Sequence, residues 1–133
     1  MLASENRALV VDDNYDIVEL LAMVLRGNGY EVETASSPHE ALDKCERESF
    51  GIIVADIGMP VMNGYELARK LRVSGKYQST VMIALTGYST YDDRNLALEA
   101  GFDELITKPA GVVAVLAAIE RIKKTKKGVD ANP

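Results

Sequence analysis

Five short apolar runs recur along the chain, each followed by a stretch whose apolar residues fall at helical spacing. The runs are RALVV (7–11), EVETA (31–35), GIIVA (51–55), TVMIAL (80–85) and ELIT (104–107). Strands that alternate with helices predict repeated βαβ units, and each helical crossover returns the chain parallel to the strand before it. A chain of 133 residues is long enough for one such domain with a core of its own. The expected fold is therefore α/β, a doubly wound (βα)5 three-layer sandwich around a parallel five-stranded sheet.

The helical stretches carry their own start and stop signals. Residues 14–27 place Ile17, Leu20, Leu21, Val24 and Leu25 on one face, and Gly27 and Gly29 follow. SPHE (37–40) reads as a capping box with proline at the first helical position, opening a helix that buries Ala41, Leu42 and Cys45. NGYELARKLRVSG (63–75) offers Leu67 and Leu71 and closes on Gly75, while TYDDRNLALEAG (90–101) stops at Gly101. A last helix over about 110–124 presents Val112, Val115, Leu116, Ile119 and Ile122.

Polarity orders the strands. The first, third and fourth are apolar almost throughout, as strands covered on both faces must be. The second and fifth carry charges, which suits sheet edges. The order 2-1-3-4-5, long known for doubly wound sheets, satisfies this, and ligands of such sheets bind outside the carboxyl ends of the strands. At those ends stand Asp12 and Asp13 after strand 1, Asp56 after strand 3, Thr86 and Gly87 after strand 4, and Lys108 and Pro109 after strand 5.

Three carboxylates in one crevice repel. Two unit charges about 5 Å apart cost roughly 3 kcal/mol at an effective dielectric near 20. Either some of the acids stay protonated or a cation neutralises them, and among cations a hard divalent ion, Mg2+ (or Mn2+), suits an all-oxygen donor set. A divalent ion beside a lone carboxylate, a hydroxyl and a lysine is suited to phosphoryl transfer, with a carboxylate as nucleophile. Asp56 has the best context for that role, since it closes the central strand and Gly58 follows two residues on. The Gly58 carbonyl is a candidate metal ligand and the Ile57 N–H a candidate phosphate donor. Taken singly, each feature has a plainer reading. Asp12 and Asp13 resemble a helix cap, Thr86 a turn residue and Lys108 an exposed strand end. His39 reads as a solvated first-turn residue and Cys45 as a small core residue.

The motifs VVDDN, VADIGMPVMNG, ALTGY and ITKPA, in this order, closely resemble the receiver domains of two-component signalling, the CheY-like response-regulator family, over roughly residues 6–124. The resemblance implies a flavodoxin/CheY-like fold and a phosphorelay receiver. By that likeness Asp56 is the phospho-acceptor, and Asp12, Asp13, Asp56 and the Gly58 carbonyl hold the metal. Ile57, Thr86, Gly87 and Lys108 meet the phosphate, Lys108–Pro109 is a cis peptide, and Thr86 with position 105 forms the switch. Leu105 departs from the pattern, because many receivers carry an aromatic residue there. The implied donor is a histidine kinase or a histidine phosphotransfer domain, and the face formed by the fourth helix, fifth strand and fifth helix responds. The chain then is no conventional enzyme, although it phosphorylates and dephosphorylates itself. It is a stand-alone regulator or a receiver cut from a longer hybrid histidine kinase or regulator, as a monomer or a weak phosphorylation-dependent dimer.

Other classes fare worse. A haloacid-dehalogenase-type phosphohydrolase needs a second acid two residues after its nucleophile, where this chain has Gly58. A flavin phosphate would be repelled by Asp12 and Asp13. Residues 120–133 hold five basic and two acidic residues, so the rest of the chain, at −8, is markedly acidic and argues against direct nucleic-acid binding. No apolar run is long enough to span a bilayer, and MLASENR lacks the pattern of a signal peptide. With a single cysteine these features suggest a cytoplasmic receiver over residues 1–124, followed by a basic then polar tail over 125–133.

Overall fold

The computed structural model describes residues 5–58, 62–87, 91–107 and 111–131. Strands β1 (Arg7–Val11), β2 (Glu31–Ala35), β3 (Ile52–Asp56), β4 (Val81–Thr86) and β5 (Glu104–Thr107) alternate with helices α1 (Tyr15–Gly27), α2 (Pro38–Arg47), α3 (Gly64–Val73), α4 (Tyr91–Ala100) and α5 (Gly111–Ala131). The sheet is parallel with order β2-β1-β3-β4-β5, so the two charged strands are its edges. The third and fourth strands each lie one residue later than the apolar runs predict. Gly51 and Thr80 fall outside them, and Asp56 and Thr86 are their last residues rather than the first beyond them.

Strand alternation divides the core into two layers. Leu9, Val11, Ile53, Ala55, Met82, Ala84 and Leu105 face α2, α3 and α4. Ala8, Val10, Ile52, Val54, Val81, Ile83 and Ile106 face α1 and α5. β1, β3 and β4 are apolar at nearly every position because both of their faces are covered. Each fully buried leucine or isoleucine contributes roughly 1.5–3 kcal/mol.

The helix starts follow side-chain chemistry. Asn14 caps α1, its side chain accepting from Asp16 N at 3.0 Å and Ile17 N at 3.3 Å. Ser37 caps α2 by accepting from Glu40 N, but the return bond from Glu40 goes to Ser36 N at 2.8 Å, one residue earlier than in a standard capping box. That N–H, more than nearby Lys44, holds the Glu40 carboxyl below its ordinary range. Asn63 and Glu66 form a complete capping box at α3, which the sequence pattern does not single out.

Two predicted helix features need correction. On α1 the buried stripe is Val18, Leu21, Ala22 and Leu25, and Leu20 is 52% exposed. α5 continues past Lys124 to Ala131. His39 is exposed and Cys45 buried, as expected.

The end of the sheet remote from the acidic residues is tied by polar clamps. Lys76 Nζ and the Tyr77 hydroxyl both donate to the carbonyls of Cys45 and Glu48, satisfying acceptors that the end of α2 would otherwise leave to solvent. The Arg72 guanidinium donates to the carbonyls of Tyr77, Gln78, Thr80 and Gly101 and to Asp103 Oδ2. Asp103 Oδ2 also accepts from Met82 N at 2.8 Å. Gly101 sits at φ +118°, and a Cβ there would lie 2.6 Å from Arg72 Cγ, so the turn needs glycine on two counts.

Candidate functional site: an acidic crevice at the carboxyl ends of the strands

β1 and β3 are neighbours, and each ends in aspartate. That topology brings oxygens of Asp12, Asp13 and Asp56 within 4.8 Å of one another. Asp12 is 1% and Asp56 7% exposed, whereas Asp13 reaches solvent. The two aspartates after strand 1 therefore differ in role. Asp12 points inward, with Oδ1 accepting from Asn14 N at 2.9 Å, and its own N–H extends the sheet to Ala35 O at 3.1 Å. Asp13 stands at the mouth. Neither caps α1, because Asn14 does.

Thr86 closes β4 with 6% exposure, one strand over from Asp56. Gly87 beyond it is exposed, and a Cβ there would meet open space. Leu105, 5% exposed, lies in the layer under α2, α3 and α4 and brings neither ring nor hydroxyl to the site. Lys108 and Pro109, the predicted lysine and its cis bond, lie outside the described residues.

The backbone after Asp56 differs from the expectation. Ile57 N–H, expected to meet the phosphate, donates to Leu85 O at 3.0 Å and prolongs the β3–β4 ladder. The amide that meets the Asp56 carboxylate is that of Gly58, which donates to Oδ1 at 3.2 Å. A Cβ at Gly58 would sit 3.8 and 4.0 Å from the two carboxylate oxygens, so a side chain there would cover the acid directly. With glycine, position 58 contributes no side chain over it.

Gly64 is the residue that pattern reading misses. A Cβ at this position would stand 2.6 Å from Asp56 O and 2.8 Å from Ile57 Cα, both backbone atoms unable to swing aside. The first turn of α3 thus rests directly on the peptide of Asp56, and Gly64 N–H donates to Ile57 O at 3.3 Å. The NG dipeptide before the helix is the one sequence signal for it. Gly64→Ala is expected to cost about 1–3 kcal/mol through forced displacement, and to slow Asp56 chemistry by moving its peptide. Urea denaturation and labelling rates on the same samples check both.

Three carboxylates in contact range, two of them buried, fit a hard divalent cation: oxygen donors only, with a charge excess that a dication offsets. Asp56 ends β3 with Thr86 at the end of the neighbouring strand, and a carboxylate at such a strand end is a candidate nucleophile.

Comparison with known proteins agrees. Residues 8–120 match the family model described as the response regulator receiver domain. The chain belongs to that family. It is 35% identical over 117 residues to the transcriptional regulatory protein CpxR homolog of Haemophilus influenzae, covering 88% of this chain and 50% of that protein. The receiver thus spans about half the length of such a regulator. The chemotaxis response regulator CheY4 of Vibrio cholerae superposes with a TM-score of 0.83 at 31% identity, covering 87% of this chain and 97% of that one. The signal receiver domain of a signal transduction histidine kinase from Syntrophus aciditrophicus gives 0.79 at 31% identity, covering 88% and 89%. This receiver is thus a phospho-accepting module of two-component signalling rather than a conventional enzyme, and the family binds Mg2+ at an acidic pocket. The phosphohydrolase alternative gains no support. Among the described residues no helix is long and apolar enough to cross a membrane.

Proposed function

We propose that Asp56 is the phospho-acceptor of this receiver and that Asp12, Asp13, Asp56 and the Gly58 carbonyl hold a Mg2+ ion. The observation that carries this is the meeting of three carboxylates at the ends of β1 and β3, with Asp56 alone closing the central strand. A bound Mg2+ supplies neutralising charge for the acids and for the phosphoryl oxygens. An Asp56 carboxylate oxygen attacks phosphorus. The new P–O bond forms as the P–N bond of a phosphohistidine, or the P–O bond of an acyl phosphate, breaks, and the leaving group keeps the electron pair. The Gly58 amide fixes the acceptor carboxylate, while Thr86, Gly87 and Lys108 stabilise charge on the transferred group. Thr86 then biases the β4–α4 connection and the α4/β5/α5 face as a population shift.

The phosphodonor is a histidine kinase or a phosphotransfer domain that docks beside the crevice, where Tyr15 of α1 is 73% exposed. Charge reversal at exposed Glu19 is expected to slow transfer from such a donor and leave labelling by acetyl phosphate unchanged; equal slowing of both would contradict this. Residues 1–124 form the receiver unit, and the basic extension of α5 leads out of it. With acetyl phosphate and Mg2+, the intact protein is expected to gain the mass of one phosphoryl group, and Asp56→Asn none. Equal labelling of the variant would overturn the assignment.

A further inference from the structure

Helix α4 is thinly held. Of its described side chains only Ala97 and Ala100 are buried, while Leu96 and Leu98 are 41% and 56% exposed. Two methyl groups give a helix little apolar grip. Its two ends are anchored differently. At the lower end Arg72 Nε donates to Gly101 O at 2.8 Å, within the clamp that also holds Asp103. At the upper end the Tyr65 hydroxyl, reaching from the first turn of α3, donates to Asp93 O across 3.5 Å. That contact is long and therefore easily exchanged.

Tyr65 is well placed to sense the acidic crevice. It directly follows Gly64, whose Cα lies so close to the Asp56 peptide that a Cβ would stand 2.6 Å from its carbonyl oxygen. Any displacement of that peptide is passed to the first turn of α3. The half-buried Tyr65 ring packs against the core layer that contains Ala84, Ala97 and Leu105. Leu105 has no polar atom, so no side-chain hydrogen bond can come from that position. Burial, and secondarily Asp93, raise the Tyr65 hydroxyl above its ordinary range.

We propose that Tyr65 is the positioning residue that couples the Asp56 peptide to α4: the Tyr65–Asp93 contact tethers the upper end of α4 in the unphosphorylated state and is exchanged when the Asp56 peptide moves. α4 then pivots about its Arg72-clamped lower end. The inference rests on Asp56 as acceptor for its phosphorylated arm only.

The test is amide hydrogen exchange of the α4 peptide in wild type and Tyr65→Phe, each with and without acetyl phosphate and Mg2+, with intact mass followed in parallel. The phenyl ring preserves packing and removes only the donor. The unphosphorylated variant is expected to exchange several-fold faster than wild type across the first turns of α4, with Gly101 and its neighbours unchanged. Phosphorylation should then produce less than half the wild-type change in α4, at an unaltered labelling extent. Unchanged α4 exchange in the unphosphorylated variant overturns the coupling, whether or not phosphate is incorporated. Failure of the wild type to gain phosphate would instead count against Asp56 alone.

Discussion

Asp13→Asn is expected to lower Mg2+-dependent phosphorylation on the order of 100-fold or more, since even outer-shell changes at metal sites cost roughly 10–100-fold. The metal-free variant should nevertheless be more stable than wild type. The three acids have oxygens within 4.8 Å, a separation at which each charge pair costs about 3 kcal/mol at an effective dielectric near 20. Asp13 is exposed, so solvent and salt screen its share, leaving a gain of about 1 kcal/mol. That corresponds to a thermal midpoint roughly 3–5 °C higher in chelator. No cap is lost, because Asn14 holds both first-turn amides of α1. Labelling kinetics and a thermal scan in chelator check the two halves. A variant that unfolds, or that labels at the wild-type rate, would contradict the account.

Arg72→Ala should be the most damaging single change outside the crevice. It removes donors from four carbonyls, at Tyr77, Gln78, Thr80 and Gly101, and takes the guanidinium partner from Asp103. Breaking such a partly buried charged network typically costs about 3–5 kcal/mol, against a total stability of roughly 5–15 kcal/mol for a small domain. Desolvation lowers the Arg72 pKa, a cost the packed acceptors and Asp103 offset in the folded state. Arg72→Lys should recover only a minor part, because one ammonium cannot reach acceptors spread over two turns and a strand end. Urea denaturation measures both variants. A loss below about 1 kcal/mol for alanine would reduce the clamp to surface decoration.

The sheet was largely legible from polarity. Charges on EVETA and ELIT mark edges because only edge strands can spare a face to water, and the structure has β2 and β5 there. The meeting of Asp12, Asp13 and Asp56 was legible from the strand order, because acids that end neighbouring strands come together, although Asp12 and Asp13 taken singly read as a helix cap. The buried face of α1 was not. Its residues are apolar almost all round, so periodicity alone admits Leu20 as readily as Val18, and docking against the sheet selects Val18, Leu21, Ala22 and Leu25. The peptide geometry after Asp56 was hidden as well. Strands β3 and β4 each end one residue later than their apolar runs, so the Ile57 N–H continues the ladder to Leu85 and the Gly58 amide meets the carboxylate. Gly64 and Arg72 act through partners that only the folded chain brings near them, so no spacing rule exposes them.

Under the proposed function one carboxylate, Asp56, takes the phosphoryl group, and only when the acids around it are neutralised by a divalent ion. This is tested most directly by treating the wild-type protein with acetyl phosphate, with Mg2+ or with chelator, trapping the acyl phosphate by borohydride reduction and mapping the reduced residue by peptide mass. A single reduced position, Asp56, is expected with Mg2+ and none in chelator. Reduction at Asp12 or Asp13, or equal reduction at Asp56 in chelator, would contradict it.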